Sequence, residues 1–189
     1  MNVLILGGSG LVGRALISQM NQFLKYRIFA TYYENQFLSE NVQHIKFDVK
    51  DSECINEILD AVKPQIVISC LRGDFDKQLT LHVMVTEYLK RKGGLLYYFS
   101  TTNVFDSNFS EPHYEYDVTN SQTDYGQYKM EYESRMTEIL HDQVCILRIP
   151  QVWGRFCPRM KELQNSLQTK KELTVYPELF INTNTDIMI

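Results

Sequence analysis

The sequence predicts an α/β fold in which a doubly wound parallel sheet is covered by helices on both faces. Short apolar segments alternate with amphipathic segments along most of the chain, and a glycine-rich run joins the first two. This alternation is typical of parallel sheets, because parallel neighbours must be joined by a crossover, usually a helix. At 189 residues, the chain has the length of one domain with a substantial core.

The first strand and the first helix meet at the glycine-rich run. Residues 3–6 are apolar and β-prone, as expected for a strand buried inside a parallel sheet. From residue 11 onwards, apolar side chains recur at helical spacing: Leu11, Val12, Ala15, Leu16 and Met20. We therefore predict a strand, a glycine turn and a helix in direct succession.

The remaining elements continue the alternation. Further strands are predicted at 27–32, 42–47, 65–70, 95–100 and 144–149. Further helices are predicted at 52–62, 77–92 and 123–140. Residues 104–122 are polar and are predicted to form a loop over the carboxyl edge of the sheet. Beyond Gly154 the pattern weakens: 155–168 is a candidate helix, and 174–189 has no assignment.

Composition and charge argue against several classes of function. The formal net charge is -4 without a basic stripe, which disfavours nucleic acid as the main partner. No stretch is long enough to span a membrane and the apolar amino end is too short for a signal peptide, so a cytoplasmic location is predicted. The four cysteines show neither paired nor metal-ligand spacing, which predicts no metal site and no disulfide framework: Cys54, Cys70, Cys145 and Cys157.

The glycine-rich run indicates a phosphate site. Gly8, Gly10 and Gly13 match the dinucleotide-binding fingerprint of the Rossmann fold: one glycine for the turn, one for close approach of a pyrophosphate, and Gly13 for packing of helix against strand. A strand that turns into a helix directs backbone N–H groups and the positive helix end towards one point. A tight turn without a ligand remains the alternative at this stage.

The end of the fifth predicted strand carries residues suited to carbonyl chemistry. Thr101 lies at this end, and Tyr125 and Lys129 follow on one face of the next helix. A lysine ammonium lowers the pKa of a nearby phenol from its usual ~10, which makes the phenol a useful acid. A threonine hydroxyl can hydrogen-bond a carbonyl oxygen on which charge develops. A second Tyr-x-x-x-Lys pair, Tyr88 and Lys92, is interpreted as a solvated helix end.

Taken in order, these motifs resemble the extended short-chain dehydrogenase/reductase family. The set comprises Gly7-x-x-Gly10-x-x-Gly13, Asp48-Val49, Ser100-Thr101-x-x-Val104-Phe105-Asp106, Tyr125-x-x-x-Lys129 and Ile146-Leu147-Arg148. The fifth strand end is most similar to the dTDP-4-dehydrorhamnose reductase branch, which typically has Ser-Thr-Asp-Tyr-Val-Phe-Asp there. The likeness extends from residue 1 to about residue 154.

The resemblance implies an NAD(P)-dependent oxidoreductase that reduces or epimerises a keto-sugar nucleotide. Thr101 would orient the substrate carbonyl, Tyr125 would donate the proton, and Lys129 would hold the nicotinamide ribose and tune Tyr125. Residues implied to contact the cofactor are Gly7, Ser9, Gly10, Leu11, Val12, Gly13, Arg14, Thr31, Tyr32, Asp48, Val49, Cys70, Leu71, Arg72, Tyr125 and Lys129. Taken singly, Asp48 is better interpreted as a solvated turn residue and Cys70 as a packed core thiol.

The sequence departs from the family pattern at the end of the second strand and at His82. The second strand ends in Thr31-Tyr32-Tyr33, without the acid that binds an adenosine ribose, so NADP is favoured and NAD is the alternative. Arg14 could supply a counter-charge to a 2′-phosphate, and is equally compatible with a solvated helix position. His82 stands where the family often has an asparagine that supports the catalytic lysine through water.

The third departure is the length of the chain. Residues 1–154 are predicted to form the NAD(P)-binding Rossmann domain, and 155–189 a remnant of the substrate-binding region. That remnant is too short for a full substrate pocket, so the chain is naturally short, is a fragment, or has its pocket completed by a partner chain or a homodimer. The alternative function is a non-catalytic NADP-binding regulatory or scaffolding subunit; a structural domain without a nucleotide is a third reading.

Overall fold

A computed structural model of the chain describes residues 1–23, 25–37, 39–108, 110–154, 157–172, 183–185 and 188. Six parallel strands form one sheet: β1 (Asn2–Leu6), β2 (Arg27–Tyr32), β3 (Val42–Lys46), β4 (Ile66–Ser69), β5 (Leu95–Thr101) and β6 (Val144–Ile149). Their order across the sheet is β3-β2-β1-β4-β5-β6. The predicted α/β class and its doubly wound parallel sheet are therefore confirmed.

The helices lie close to their predicted positions. They are α1 (Leu11–Met20), α2 (Cys54–Val62), α3 (Phe75–Lys92), α4 (Asp124–Leu140) and α5 (Pro158–Thr169). Helix α3 begins two residues earlier than predicted, and two short 3₁₀ turns, Thr102–Phe105 and His141–Gln143, flank α4. Helix α5 begins at a proline because proline lacks an N–H group that the first helical turn would leave unpaired.

A second, two-stranded sheet was not predicted. Strand β7 (Gln151–Trp153) pairs in parallel with β8 (Thr183–Thr185). Three polar residues in β8 carry no alternating apolar pattern, so the sequence gives no sign of a strand there. Residues 155–156 of the predicted carboxyl-terminal helix, and most of the unassigned segment 174–189, lie outside the described residues.

The core consists of two layers, one on each face of the main sheet. Leu4 and Leu6 of β1 pack on one face with residues of α2, α3 and α4, whereas Val3 and Ile5 pack on the other face with Ile17 of α1. Side chains of a strand alternate between faces, so a strand covered on both sides is apolar throughout.

The buried position of Tyr88 contradicts the expectation that this part of the helix before β5 is solvated. Its side chain is only 4% exposed and packs in the layer formed by α2, α3 and α4, while Lys92 is exposed. The interpretation of this pair as a solvated helix end is therefore wrong for Tyr88.

The order of the strands fixes where a ligand can bind. Strand β1 pairs with β2 on one side and with β4 on the other, so the connections after β1 and β3 run in opposite directions. The loops at the carboxyl ends of β1 and β4 consequently separate and leave a crevice. The glycine turn after β1 forms one wall of that crevice.

Candidate functional site

A cleft of about 1060 Å³ opens at the carboxyl ends of the strands. It is lined by most of the site residues predicted from the sequence: Gly7, Ser9, Gly10, Leu11, Val12, Arg14, Thr31, Tyr32, Asp48, Val49, Cys70, Leu71, Arg72, Thr101, Tyr125 and Lys129. Gly13 lies beneath the turn and does not line the cleft. The fold thus brings together side chains that are more than 100 positions apart in the sequence.

The turn after β1 depends on glycine at two positions. Gly7 has a φ of +78°, and a Cβ there would lie 3.0 Å from the carbonyl oxygen of Cys70. A Cβ on Gly13 would lie 2.4 Å from the carbonyl oxygen of Gly7. The turn glycine is therefore Gly7 rather than Gly8, whose absent side chain instead allows close contact with Ala30.

The start of α1 is suited to an anion. Its N-cap, Gly10, has no side chain to cap the helix, and the first turn contains no acidic residue. The first N–H groups of a helix have no partner within the helix, and the helix dipole favours negative charge there. The glycine turn and this helix start therefore fit the diphosphate of a dinucleotide.

Arg14 is the fourth residue of the same helix. Its Nε donates to the carbonyl oxygen of Ser9 at 2.7 Å, and its guanidinium lies 4.9 Å from the centre of the Phe37 ring. Arg14 and Lys161 of α5 line a smaller cleft of about 550 Å³, which shares Ser9 and Gly10 with the main cleft. Two cations therefore border the cleft on this side of the glycine turn.

Residues at the ends of β2 and β3 also line the cleft, beside the glycine turn. The Thr31 hydroxyl accepts from the backbone N–H of Gly7 at 2.9 Å, which ties β2 to the glycine turn. Asp48 lines the cleft, and its carboxylate also accepts from the N–H of Lys50 at 2.9 Å. Glu34 lines the smaller cleft with Arg14, so the acid nearest to β2 lies beyond the strand end.

The end of β4 forms the floor of the cleft. Cys70 packs in the core layer beside α1, as expected of a core thiol, and it also lines the cleft, where its contact with a cofactor stays a prediction. Burial raises the pKa of the Cys70 thiol, which keeps it protonated. Arg72 is exposed at the same edge, and its guanidinium disfavours protonation of both Tyr125 and Lys129.

Tyr125 lies in the first turn of α4 and faces the cleft. Burial raises the pKa of its phenol, while Arg72 and the Thr101 hydroxyl act in the opposite direction. The expectation that Lys129 lowers this pKa is not met, although the Lys129 ammonium lies 5.9 Å from the centre of the phenol ring. The phenol is therefore protonated at neutral pH, which is the form required of an acid.

Thr101 ends β5 at the edge of the cleft. Its hydroxyl donates to the side-chain oxygen of Asn103 at 3.1 Å and accepts from the N–H of Asn103 at 3.2 Å. The side chain therefore caps the 3₁₀ turn that follows the strand. These bonds hold the hydroxyl close to Tyr125.

Lys129 is almost completely buried, with 2% of its surface exposed. Its ammonium donates to the Tyr98 hydroxyl at 2.9 Å and to the carbonyl oxygen of Phe99 at 3.1 Å. Burial lowers its pKa to about 8, and the carboxylate of Glu133 opposes this shift. Tyr98, a direct partner of this lysine, was not identified from the sequence.

His82 is buried between β4 and α4. Its Nδ1 lies 2.8 Å from the carbonyl oxygen of Gln78, to which it must donate, so Nε2 accepts from the Ser69 hydroxyl at 2.6 Å. Burial lowers its pKa to about 3, so the ring is neutral near pH 7. Its ring packs edge-on against Tyr98, at 5.3 Å between ring centres. Tyr98 in turn accepts a hydrogen bond from Lys129, so His82 contacts Lys129 through Tyr98.

The start of α4 is held by a carboxylate to which the sequence analysis gave no role. Asp106 accepts from the hydroxyls of Ser121 and Thr123 at 2.9 and 2.8 Å, and from the N–H of Gln122 at 2.8 Å. Thr123 in turn caps α4 by accepting from the N–H of Gly126. Two features of the sequence were consistent with this role. Thr123 is a helix-capping type of residue two positions before Tyr125, and Asp106 ends the Ser-Thr motif that begins at the end of β5.

Some absences also bear on the site. Among the described residues, no group of three or more His, Cys, Asp or Glu side chains is arranged to hold a metal ion. In the same part of the chain, no helix is long and apolar enough to cross a membrane.

The arrangement of sheet, glycine turn and cleft defines a Rossmann-type α/β protein. The model of the NAD dependent epimerase/dehydratase family matches residues 3–176. The chain belongs to this family, which confirms the resemblance found in the sequence.

Curated relatives cover most of this chain. Subunit beta of methionine adenosyltransferase 2 from Bos taurus is 27% identical over 164 residues, which is 80% of this chain and 47% of that protein. The Rattus norvegicus protein of the same name is 25% identical over the same shares. The chain therefore spans about half the length of these relatives.

Solved structures with the same fold are mostly larger. A UDP-glucose 4-epimerase from Thermotoga maritima has a TM-score of 0.85 and 16% identity, and the match covers 98% of this chain and 70% of that one. A dTDP-4-dehydrorhamnose reductase from Clostridium acetobutylicum has a TM-score of 0.74 and 23% identity, with coverage of 99% and 66%. At these identities the likeness describes the fold alone.

Proposed function

We propose that the chain is an NAD(P)-dependent oxidoreductase of the short-chain dehydrogenase/reductase type that reduces or epimerises a keto-sugar nucleotide. The observation that carries this proposal is the convergence of Thr101, Tyr125 and Lys129 on one cleft. The opposite wall of that cleft is the glycine turn before α1. A dinucleotide whose diphosphate binds at the turn would extend along this cleft towards these three side chains.

The three side chains have complementary roles in the proposed reaction. When bound, a reduced nicotinamide supplies the hydride that converts a carbonyl to an alcohol. The Tyr125 phenol donates the proton that the carbonyl oxygen acquires, and Thr101 hydrogen-bonds the same oxygen as charge develops on it. The Lys129 ammonium, fixed by Tyr98 and Phe99, would donate its remaining N–H to a ribose hydroxyl of the bound cofactor.

We expect NADP to be preferred and keep NAD as the alternative. Arg14 and Lys161 border the smaller cleft beside the glycine turn, where two cations suit a 2′-phosphate. No acidic side chain stands at the end of β2 itself. The presence of Glu34 in the smaller cleft, and the complexes of similar structures with NAD, keep the alternative open.

The nucleotide-sugar substrate class is supported by the names of similar structures. They include a complex of a UDP-glucose 4-epimerase with UDP-glucose and a dTDP-4-dehydrorhamnose reductase. Cys157, Pro158 and Arg159 of the carboxyl-terminal part line the main cleft. This agrees with the proposed division into a dinucleotide-binding part, 1–154, and a substrate-binding remnant, 155–189.

A second candidate function is a cofactor-binding subunit without catalysis of its own. The curated relatives are named as a subunit of methionine adenosyltransferase 2, and this chain spans about half of their length. In that case a partner chain or a second copy would complete the pocket, and bound NADP would serve regulation or assembly. The presence of Thr101, Tyr125 and Lys129 favours the enzyme, because a binding subunit needs no acid.

The two functions are separated by replacing the phenol of Tyr125. We expect Tyr125→Phe to lower carbonyl reduction by roughly 100- to 10,000-fold, with binding of NADPH unchanged in titrations of Trp153 fluorescence. Tyr116→Phe, an exposed tyrosine in the loop before α4, is the matched control and should retain full activity. Reduction that survives in Tyr125→Phe overturns the proposed mechanism, and tight binding without turnover in the parent chain supports the subunit.

A further inference from the structure

A buried carboxylate lies one helical turn beyond Lys129. Glu133 is 5% exposed and follows Lys129 by four residues on the inner face of α4. One of its oxygens accepts from the Ser100 hydroxyl, and Arg148 of β6 binds the other through Nη2 at 2.7 Å and Nε at 3.1 Å. Removing a carboxylate from water is costly, and these donors offset that cost for Glu133.

Three consecutive residues of β5 connect this carboxylate to the catalytic side chains. The carbonyl oxygen of Phe99 accepts from Lys129, the hydroxyl of Ser100 donates to Glu133, and Thr101 faces the cleft. Two successive turns of α4 are therefore fixed to the same strand end. The positions of Glu133 and Lys129 are therefore both set by the strand end that carries Thr101.

We propose that Glu133 is a positioning residue for Lys129, and that its buried carboxylate is the counter-charge that keeps the Lys129 side chain an ammonium beside Tyr98 and Phe99. The consequence for catalysis rests on the proposed function, in which an ammonium must donate to ribose hydroxyls. The electrostatic coupling itself does not depend on that function. Arg148 completes the arrangement because it prevents Glu133 from being an unpaired charge.

The surroundings of Lys129 explain why a counter-charge is needed. Burial of the side chain favours the neutral amine, and the Arg72 guanidinium acts in the same direction. The titratable groups that face Lys129 come from β4 and its loop, α3, β5 and α4: Cys70, Arg72, His82, Tyr98, Tyr125, Tyr128 and Glu133. The thiol, the imidazole and the phenols in this set are neutral near pH 7, because burial disfavours their charged forms. Glu133 therefore supplies the negative charge among them, and Arg148 of β6, its ion-pair partner, is a further cation in the same cluster.

The anchoring of Arg148 makes this arrangement rigid. Besides Glu133, Arg148 donates through Nη1 to the carbonyl oxygen of Glu115 at 2.8 Å, and its guanidinium lies 5.1 Å from the centre of the Phe105 ring. Strand β6, helix α4 and the loop before α4 are thereby joined at one guanidinium. A planar group with several fixed donors suits this purpose better than a lysine would.

The test is a direct titration of Lys129 in the full chain. Protein labelled with ¹³C at the lysine Cε position gives one NMR signal per lysine, and the Lys129 signal is assigned by its loss in Lys129→Arg. In Glu133→Gln, which keeps the shape and one acceptor, we expect the pKa of Lys129 to fall by about one unit. Glu131→Gln is the matched control, since Glu131 is exposed on the same helix and pairs with Arg135.

A second variant covers the case in which Glu133→Gln does not fold. Glu133→Gln combined with Arg148→Met removes the cation that the single change leaves unpaired, and a fall in the pKa of Lys129 in the same direction, but smaller, is expected. A lower unfolding temperature with an unchanged Lys129 titration would overturn the proposal, because a purely structural clamp predicts that result.

Kinetics then separate this inference from the proposed function. If the chain is a reductase, the alkaline limb of kcat/KM should move to lower pH in Glu133→Gln by the same amount as the NMR titration. A shifted titration without any turnover in the parent chain would contradict the reaction and leave the counter-charge intact. Turnover with an unshifted titration would overturn the counter-charge alone.

Discussion

The two ends of the cleft are built in different ways. At the glycine turn, the site consists of backbone: Gly7 and Gly13 have no room for a side chain, and no side chain caps α1. At the start of α4, the site consists of side chains held by other side chains, including a buried lysine and a buried carboxylate. The first end is therefore sensitive to added volume, and the second to changes of charge and pH.

The difference has an energetic basis. Backbone atoms at the glycine turn are packed so closely that a Cβ does not fit between them. A substitution there must therefore displace backbone segments. The side chains around Lys129 can adjust in position, but their protonation states depend on burial and on one another. Predictions for the two ends therefore call for different measurements.

The largest expected effect comes from Gly13→Ala at the backbone end. The new Cβ would lie 2.4 Å from the Gly7 oxygen and 2.6 Å from the Gly8 Cα, both of them backbone atoms that cannot move cheaply. We expect a loss of about 3 kcal/mol in the free energy of unfolding, measured in denaturant. Affinity for a dinucleotide should fall roughly tenfold to a hundredfold, because displaced N–H groups no longer meet the diphosphate.

Gly93→Ala, at the end of α3 and outside the cleft, is the control for this change. Gly93 also has a positive φ, of +72°, but a Cβ there meets no atom within 4 Å, so only backbone strain is added. The expected cost is about 1 kcal/mol, without an effect on dinucleotide affinity beyond that of lower stability. Equal losses in the two variants would show that the turn after β1 is not closely packed.

The contrast between the two ends also explains how far the sequence could be interpreted. The glycine turn, the alternating elements and the order of site residues were predictable, because glycine spacing and apolar periodicity follow from local geometry. Which glycine makes the turn was not, since Gly7 and Gly8 both fit the spacing. The contact between Gly7 and Cys70 that decides it joins segments 63 residues apart.

The surroundings of the predicted catalytic residues were not predictable for a related reason. Tyr98 and Glu133 lie on a strand and a helix that would be assigned in the same way without them. Their importance arises only when α4 packs on β5 and brings Lys129 within hydrogen-bonding distance of Tyr98. The pKa of Tyr125 is raised rather than lowered because burial of the phenol dominates, and the charge that opposes burial is that of Arg72.

The next largest effect is expected at low pH and involves His82. Its pKa in the folded chain is about 3, below the ordinary value of 6.5. Between these two values the unfolded chain binds a proton that the folded chain does not, so stability is complete above pH 6.5 and declines as the pH falls. At pH 5 the loss from this residue is about 2 kcal/mol, measurable by urea unfolding at pH 7 and pH 5.

The change in the free energy of unfolding between pH 7 and pH 5, compared between variants, isolates the contribution of His82. His82→Asn should be less stable than the parent chain at pH 7, because it loses packing and hydrogen bonds, but it should lose less stability between pH 7 and pH 5. His141→Asn, at an exposed histidine, should retain the parent slope. Burial also lowers the pKa of His44, so part of the acid dependence should persist in His82→Asn. An unchanged slope in His82→Asn would mean that the buried ring is not a source of acid sensitivity.

The smallest expected effect concerns Asp106, which holds the first turn of α4 without touching the cleft. Burial raises the pKa of its carboxyl, but hydrogen bonds from Gln122, Thr123 and Ser121 outweigh this and lower it overall. Asp106→Asn keeps the size of the side chain and replaces charge-assisted bonds by neutral ones, at an expected cost of about 1 kcal/mol in the free energy of unfolding. Because a lowered pKa favours the charged form, this contribution is present at neutral pH and is lost as the pH falls below the usual range of an aspartate.

The functional consequence of Asp106→Asn should appear in kcat rather than in cofactor affinity. A less firmly held helix start misplaces Tyr125 by a fraction of an ångström, whereas the glycine turn at the other end of the cleft is unaffected, so turnover should fall about tenfold with the KM for the dinucleotide unchanged. Asp117→Asn is the matched control, because Asp117 accepts from the N–H of Tyr114 in the same loop. Equal loss of turnover in both variants, or a raised KM for the dinucleotide in Asp106→Asn, would show that the two ends of the cleft are not independent and that the loop acts on the site as a whole.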